Sequence, residues 1–218
     1  MHCHILPAVD DGSRSEDMTR QMFTRARSAG IEAIVATPHY GAGQHDLSKI
    51  ERSFSFAKSV ARQMNIKLHL GYEVNYRVMM DLDASRIGGM CVFGTNSLLL
   101  ELDETTLFPR WEFVLSDLCK NYAPVIVHPE RFFYIQKDFA LISEMKSYGC
   151  EIQLDAVGLT RGLLNPEGRT ARKLLNRGLV DYIASDAHHP RDYDAFEVVR
   201  RRYASSWPSG GELNRVLC

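Results

Sequence analysis

The sequence predicts an α/β protein with a parallel sheet, in the form of a (β/α) barrel. Short apolar runs alternate with helical stretches along nearly the whole chain, and parallel strands need such crossovers of about a dozen residues. Most of the runs also end in a histidine, aspartate or glutamate. Barrels build their sites from the C-terminal ends of several strands, whereas an open doubly wound sheet, the alternative, usually gathers its ligands at one switch point.

Seven strands are predicted, each from an apolar run bounded by turn residues. Alternation assigns their faces, because successive side chains of a strand point to opposite sides of the sheet. On that basis Glu73 and Glu101 face the interior, with Leu99 beside Glu101, and His128 shares the face of Ile126. The predicted strands are the N-terminal segment and residues 31–37, 67–72, 97–102, 124–127, 151–154 and 180–184.

The segments between these strands carry helical periodicity and cap signals. Ser13 or Ser15 can cap the first helix and Gly30 ends it, while Pro109 suits the first turn of a later helix. Residues 75–95 show no clear pattern, so we expect a lid or an irregular crossover there. The predicted helices span residues 15–29, 47–64, 109–122, 138–148, 166–177 and 192–205, with a partial helix after Gly211.

Composition limits the class of protein. The chain has 218 residues, 45% of them hydrophobic, and no linker-like stretch, so we expect one domain over residues 1–218. A net charge of −1 disfavours a nucleic-acid partner. No apolar run approaches about 18 residues and no leader peptide is visible, which argues against membrane insertion. An odd number of scattered cysteines predicts reduced thiols in a cytoplasmic protein; they are Cys3, Cys91, Cys119, Cys150 and Cys218.

Two histidines two residues apart, His2 and His4, open the chain. On an extended segment both imidazoles lie on one side and form a chelating pair, while Cys3 points to the other side and is expected to be a small buried residue. Further histidines and carboxylates follow the later strands, and this donor set suits Mn, Fe, Co or Zn. The nine candidate metal ligands are His2, His4, Asp11, His39, Glu73, Glu101, His128, Asp186 and His188.

Each candidate ligand has an ordinary structural interpretation when it is taken singly. A histidine after a strand is often a satisfied polar residue, a glutamate can serve in a salt bridge, and Asp11 can be a turn residue or a helix cap. Taken together, so many polar groups in one interior would be very costly without metal or counter-charge. One zinc ion needs only about four ligands, so nine candidates predict a cluster of two or three ions.

The order of short motifs is similar to that of the PHP (polymerase and histidinol phosphatase) superfamily. The details resemble its branch of bacterial tyrosine phosphatases of capsular and exopolysaccharide biosynthesis, over nearly the whole chain. The motifs are His2-x-His4, Asp10-Asp11-Gly12, Thr37-Pro38-His39, Gly71-Tyr72-Glu73, His128-Pro129-Glu130-Arg131 and Ser185-Asp186-Ala187-His188.

The resemblance implies a distorted seven-stranded (β/α) barrel and a metal cluster, commonly of three manganese ions. It also implies a partner, the phosphotyrosine tail of a bacterial tyrosine kinase of polysaccharide assembly, and an oligomer is compatible with the sequence. Relatives extend a little beyond both ends of this chain, which is compatible with a domain clipped at both termini. By the family pattern, the first metal would take His2, His4, Glu73 and Asp186, the second Glu73, Glu101 and His128, and the third Asp11, His39 and His188.

The expected chemistry follows from charge. Four ligand carboxylates against three divalent ions leave a net charge of about +2, which attracts a phosphate dianion. A metal-bound hydroxide can then attack phosphorus in line, without a covalent nucleophile. Arg131 is expected to hold phosphate through its guanidinium, with a surface salt bridge to Glu130 as the alternative, and Arg191 is a second candidate catalytic residue.

The function predicted from these features is a metal-dependent phosphotyrosine-protein phosphatase. A small-molecule phosphoesterase of the histidinol-phosphatase type is one alternative. Its alkoxide leaving group needs a general acid, whereas a phenolate, with a conjugate-acid pKa of about 10, departs with little help. A catalytically inactive binding module is a third interpretation, which would require lost ligands, and all nine candidates are present.

Overall fold

A computed structural model describes residues 2–41, 46–208, 211 and 213 of the chain. Within these residues every pair of neighbouring strands is parallel. The parallel α/β class predicted from the sequence is therefore confirmed. Cys218 and most of the partial helix predicted after Gly211 lie outside the described residues.

The strands form two parallel sheets. The smaller sheet pairs β1 (Ala33–Ala36) with β3 (Lys67–Leu70). Paired residues in this sheet are 34 positions apart in the sequence, as Ala33 is from Lys67. The pairing of β2 with β4 has the same separation, as between His39 and Glu73. The two sheets therefore keep one register and are separated only by a break in the strands. The larger sheet consists, in spatial order, of β2 (His39–Tyr40), β4 (Glu73–Asn75), β5 (Ser97–Glu101), β6 (Ala123–Val127), β7 (Glu151–Asp155) and β8 (Tyr182–Ala184).

The N-terminal segment lies between β1 and the residues that follow β8. Cys3 forms single parallel bridges with Ala36 on one side and with Ala187 on the other. The amide of His4 donates to the carbonyl of Ala187 (3.0 Å), and the carbonyl of Cys3 accepts from the amide of Thr37 (3.0 Å). The first predicted strand is thus only one bridged residue long on each side, but it is held on both.

Helices fill the crossovers, and none of the described ones is long and apolar enough to cross a membrane. Ser15 caps the first helix through its side chain, which accepts from the amide of Met18. The helices are α1 (Glu16–Ser28), α2 (Leu47–Gln63), α3 (Tyr76–Met79), α4 (Ala84–Met90), α5 (Trp111–Leu118), α6 (Phe133–Lys137), α7 (Ala140–Tyr148), α8 (Ala156–Thr160), α9 (Pro166–Asn176) and α10 (Asp192–Arg202), with 3-10 turns at Pro129–Arg131 and Ala204–Ser206.

Three helix predictions need correction. The stretch 75–95 is a regular crossover, because it continues β4 and holds α3 and α4. Helix α5 begins at Trp111 rather than Pro109, since Arg110 has a left-handed backbone (φ 60°) that cannot belong to the helix. The short helices α6 and α8 were not predicted, because five residues are too few for a periodic signal; α6 follows the 3-10 turn Pro129–Arg131 and α8 follows β7 directly.

The two faces of the sheet carry separate apolar clusters, which test the predicted alternation. Leu98 and Leu100 of β5 pack in the large cluster with the helices, whereas Leu99 packs in a smaller cluster with Val125 and Val127 of β6. The faces predicted for β5 are confirmed. The prediction that His128 shares a face with Ile126 is wrong, because Ile126 packs in the large cluster on the helix side.

Candidate metal centre

Backbone conformation brings two of the candidate residues to the ends of their strands. His128 follows β6 with φ 38° and Asp186 follows β8 with φ 43°, both in the left-handed region that non-glycine residues rarely adopt. This turn of the backbone interrupts the alternation of the strand, so His128 reaches the interior from a position that alternation assigns to the helix side. Such unusual conformations cluster at functional sites.

Four buried side chains meet at the centre. Nε2 of His2 lies 3.3 Å from Glu73 Oε2 and 3.3 Å from Asp186 Oδ1. Nε2 of His4 lies 3.1 Å and 3.2 Å from the same two oxygens, and the two Nε2 atoms are 3.3 Å apart. The four donor atoms lie within 4.8 Å of one another, a geometry that could hold a metal ion.

The Nδ1 atoms of His2 and His4 each contact a side chain outside this group of four. Nδ1 of His4 lies 2.8 Å from Asp10 Oδ2, a contact in which it donates and Nε2 keeps its lone pair for the centre. Nδ1 of His2 lies 2.6 Å from the terminal amide of Gln153; with the amide oxygen turned toward it, Nδ1 likewise donates. Asp186 Oδ1 faces both lone pairs and has no hydrogen bond among the described residues. This donor set therefore fits a cation better than it fits a hydrogen-bonded core.

A second group lies nearer to solvent. His39 and His188 each place Nε2 at 3.4 Å from Asp11 Oδ1, and the ring of His188 stacks on that of His4 with centroids 4.1 Å apart. Nδ1 of His188 donates to the carbonyl of Asp186 (2.9 Å), which again leaves Nε2 for a ligand. The donor atoms of His4, Asp11, His39 and His188 also lie within 4.8 Å of one another.

Glu73 connects the remaining candidates. Its Oε1 lies 2.7 Å from His128 Nε2, and its Oε2 lies 3.1 Å from His39 Nδ1. A third group of donor atoms comprises His39, Glu73 and Glu101, whereas the family pattern joins Glu101 with Glu73 and His128. Glu101 also accepts a hydrogen bond from the side-chain amide of Asn75 (3.3 Å). The fold thus brings all nine candidate ligands to one end of the strands.

The electrostatics of the cluster favour positive charge. Burial alone would raise the pKa of Glu73, but the histidines around its carboxylate hold that pKa well below the usual range. Burial likewise opposes a proton on His128, yet its hydrogen bond with Glu73 raises the pKa of His128 to about 9. Carboxylates that draw protons onto buried histidines are equally suited to draw metal cations.

Arg131 lies inside this site rather than in a surface salt bridge with Glu130. Its Nη2 contacts Asp155 Oδ2 and lies 2.7 Å from Asp186 Oδ2. Burial opposes the charge, but these two carboxylates raise the pKa of Arg131. Glu130 is fully buried and accepts the amide of Asp155, and burial, reinforced by the charge of Asp155, raises the pKa of Glu130 to about 8. The surface-pair alternative for Arg131 is therefore wrong.

Other functional candidates are placed less centrally or were not predicted. Arg191 is exposed at the start of α10 and has no ion pair with the site among the residues that the structure describes. Asp10, Gln153 and Asp155 contact the candidate ligands or Arg131. The sequence indicates Asp10 only as part of the Asp10-Asp11-Gly12 motif, and it does not indicate Gln153 or Asp155. Asp155 is the last residue of β7. The other candidates were found as polar residues at the ends of predicted strands, and the same criterion identifies Asp155 once the strand is extended by one residue beyond Leu154.

Comparison with known proteins agrees with this geometry. The chain is 28% identical to the tyrosine-protein phosphatase YwqE of Bacillus subtilis over 95% of this chain and 86% of the relative. It is 27% identical to the putative tyrosine-protein phosphatase CapC of Staphylococcus aureus (86% and 76%) and 24% identical to the tyrosine-protein phosphatase CpsB of Streptococcus pneumoniae (94% and 90%).

The fold and the whole sequence pattern point to the same family. A solved structure from work on YwqE of Bacillus subtilis and CpsB of Streptococcus pneumoniae, described as unique metal-dependent tyrosine phosphatases, superposes with a TM-score of 0.81. It shares 26% sequence identity and covers 99% of this chain and 89% of that one. The family model for capsular polysaccharide synthesis, CpsB/CapC, matches residues 1–206. The chain therefore belongs to the CpsB/CapC family of capsular polysaccharide synthesis.

Proposed function

We propose that this protein is a metal-dependent phosphotyrosine-protein phosphatase of capsular polysaccharide synthesis. The observation that carries the proposal is the convergence of histidine nitrogens and carboxylate oxygens at one end of the strands, with Nδ1 of His4 and of His188 each held by an acceptor behind it. Support comes from the relatives, which are named tyrosine phosphatases. The proposed substrate is the phosphotyrosine tail of a cytoplasmic polysaccharide-assembly tyrosine kinase.

We further infer that the strands close into a distorted (β/α) barrel of seven segments. These are the N-terminal segment, β1 with β2, β3 with β4, β5, β6, β7 and β8. Cys3 supports this, because its bridges to Ala36 and Ala187 join the two ends of the strand order. The nine candidate residues would then surround one mouth of a single domain, as barrel sites do. Divalent ions, manganese by family resemblance, would lower the pKa of the attacking water and polarise the phosphoryl group.

The residues of the chain have separate roles in this proposal. His2, His4, Glu73, His128 and Asp186 would form the buried part of the metal site. The more exposed part would consist of Asp11, His39, Glu101 and His188. Arg131 would donate to the phosphoryl oxygens through the nitrogens that its carboxylate contacts leave available. Cys3 directs its Sγ to the carbonyl of Val35 (3.8 Å), so the thiol between His2 and His4 is not placed to act as a nucleophile. A phenolate leaves without a strong general acid, which matches a tyrosine substrate.

The test is a phosphatase assay on a phosphotyrosine peptide and on an alkyl phosphate, with metal analysis in parallel. Chelator should abolish hydrolysis of the peptide, manganese should restore it, and iodoacetamide should leave it unchanged. Faster turnover of the alkyl phosphate would favour the small-molecule phosphoesterase. Activity that survives chelation but is lost on alkylation would sink the proposal, and loaded protein without activity on either substrate would favour a binding module.

A further inference from the structure

A carboxylate outside the nine candidate ligands lies in the same site. Asp155 is 1% exposed, its Oδ2 accepts from Arg131 Nη2, and its Oδ1 has no hydrogen bond among the described residues. We propose that Asp155 is a positioning residue that holds the Arg131 guanidinium in the orientation in which it binds phosphate. The inference rests on the function proposed above, because it concerns the group expected to bind the phosphoryl oxygens.

The contacts of Arg131 leave part of its guanidinium for a ligand. Asp155 and Asp186 both accept from Nη2, and neither Nε nor Nη1 forms a hydrogen bond or ion pair with the described residues. The Arg131 side chain is 34% exposed although both carboxylates beside it are nearly inaccessible. Because two carboxylates fix one nitrogen, the plane of the guanidinium is set while its other donors stay open for a fork on phosphate.

Asp155 is itself held in place by the segment that carries Arg131. Its backbone amide donates to Oε1 of the fully buried Glu130 (2.9 Å). A Cβ at position 158 would stand 2.7 Å from that same oxygen, so the glycine at 158 lets Glu130 approach β7 closely. Glu130 therefore ties the turn Pro129–Arg131 to Asp155 through the backbone, and Arg131 ties it through the side chain.

Charge and orientation give opposite expectations for Asp155. A buried carboxylate beside an anion site disfavours phosphate by simple repulsion, so its removal should tighten phosphate binding. A carboxylate that orients Arg131 favours phosphate, so its removal should weaken binding. The sign of the change therefore separates the two roles.

The experiment is calorimetric titration of inorganic phosphate into the metal-loaded protein. Asp155→Asn should weaken phosphate binding by about tenfold, the size of one charge-assisted hydrogen bond, and should keep the metal content of the wild type. In an Arg131→Ala background the same substitution should change the phosphate affinity little, because Asp155 is proposed to affect phosphate only through the Arg131 guanidinium. Asp181→Asn, which alters a half-buried carboxylate at the opposite ends of the strands, is the matched control and should leave phosphate affinity unchanged.

A second variant guards against a folding defect in the first. Asp155→Glu keeps the charge but moves it by one methylene, so it should also weaken phosphate binding, whereas simple repulsion predicts no change. Unchanged or tighter phosphate binding in a folded Asp155 variant overturns the inference. Loss of metal in Asp155→Asn overturns it as well, and so does an equal loss of phosphate affinity when Asp155→Asn is made in the Arg131→Ala background. A wild type that binds no phosphate also overturns it.

These outcomes are distinct from failure of the proposed function. A wild type that binds phosphate with this coupling but does not hydrolyse phosphotyrosine would end the phosphatase proposal and leave the role of Asp155 standing. A wild type that hydrolyses phosphotyrosine, with Asp155 variants that bind phosphate normally, would end only the positioning role.

Discussion

Charged side chains at the two ends of the strands differ in how they are paired. At the N-terminal ends, Asp181 accepts from Lys146 Nζ (2.5 Å) and from the amide of Ile152 (2.8 Å), and Glu151 accepts from the hydroxyl of Tyr182 (2.7 Å). At the C-terminal ends, histidine nitrogens and carboxylate oxygens face one another at 3.1–3.3 Å, and Asp186 Oδ1 lacks a hydrogen bond. Both carboxylates named at the first end are paired within the protein, whereas the donor atoms at the second end face one another in an arrangement that could hold a cation.

The backbone shows a similar contrast around β6, β7 and β8, although Asn65 before β3 also has a left-handed φ (57°). Before β7 and β8, the residues with left-handed φ are Gly149 (110°) and Gly178 (67°), which adopt it without steric cost. After β6 and β8, the left-handed residues are His128 and Asp186, for which the conformation is unfavourable. A strained backbone beside incompletely paired side chains indicates that this end is shaped by binding rather than by stability.

The largest contrast should come from matched aspartate substitutions at the two ends. Asp186→Asn should lower metal content and reduce turnover of an aryl phosphate by at least about a hundredfold. The reason is that it removes a negative charge from the buried group formed with His2, His4 and Glu73. Asp181→Asn should keep both and lower the free energy of unfolding by about 1 kcal/mol, since its carbonyl can still accept from Ile152. Elemental analysis, kinetics and denaturant unfolding measure these effects, and an Asp186→Asn protein with normal metal and rate would show that residue to be structural.

Arg131 should separate binding of phosphate from binding of metal. Arg131→Ala should keep its metal and lose about a hundredfold in rate, the cost of one strong transition-state donor. Arg131→Lys should recover only part of the rate, because an ammonium cannot reproduce a two-pronged guanidinium contact. Steady-state kinetics at matched metal occupancy is the measurement, and a rate within about twofold of wild type would remove Arg131 from the site.

The smallest effect is expected from the residue behind His4. Asp10→Asn should weaken metal affinity by about tenfold, because Asp10 orients Nδ1 of His4 without touching the centre. At saturating metal most of the activity should return. Metal titration of the apo-protein measures the change, with Glu151→Gln at the other strand ends as control; equal metal affinity in both variants would contradict the role of Asp10.

Local pattern was sufficient where one segment determines the outcome. Alternation predicted the burial of Cys3 between His2 and His4, and Cys3 is 0% exposed in the large apolar cluster. A serine at the start and glycine at the end predicted α1, which Ser15 caps. These features depend on neighbours in sequence, so propensity and periodicity carry enough information.

The same reasoning failed where a strand ends. Alternation continued beyond β6 assigns His128 to the face of Ile126, but the φ of 38° at His128 turns its side chain to the interior. The apolar run predicts that the strand ends at Leu154, whereas β7 extends to Asp155. Strand ends depend on contacts with the next strand and the following turn, which a single segment does not contain.

By itself the sequence determined the parallel α/β class, the residue types of the candidate metal site and their positions near the strand ends, because hydrophobic period and local chemistry encode these. Only the tertiary structure decided which groups meet. Arg131 could have paired with its neighbour Glu130, yet it contacts Asp155 and Asp186, which stand 24 and 55 residues away in the chain. The physical reason is that the packing of the 129–131 turn against β7 buries Glu130 completely and directs its Oε1 to the amide of Asp155, while it places the Arg131 side chain beside Asp155 and Asp186.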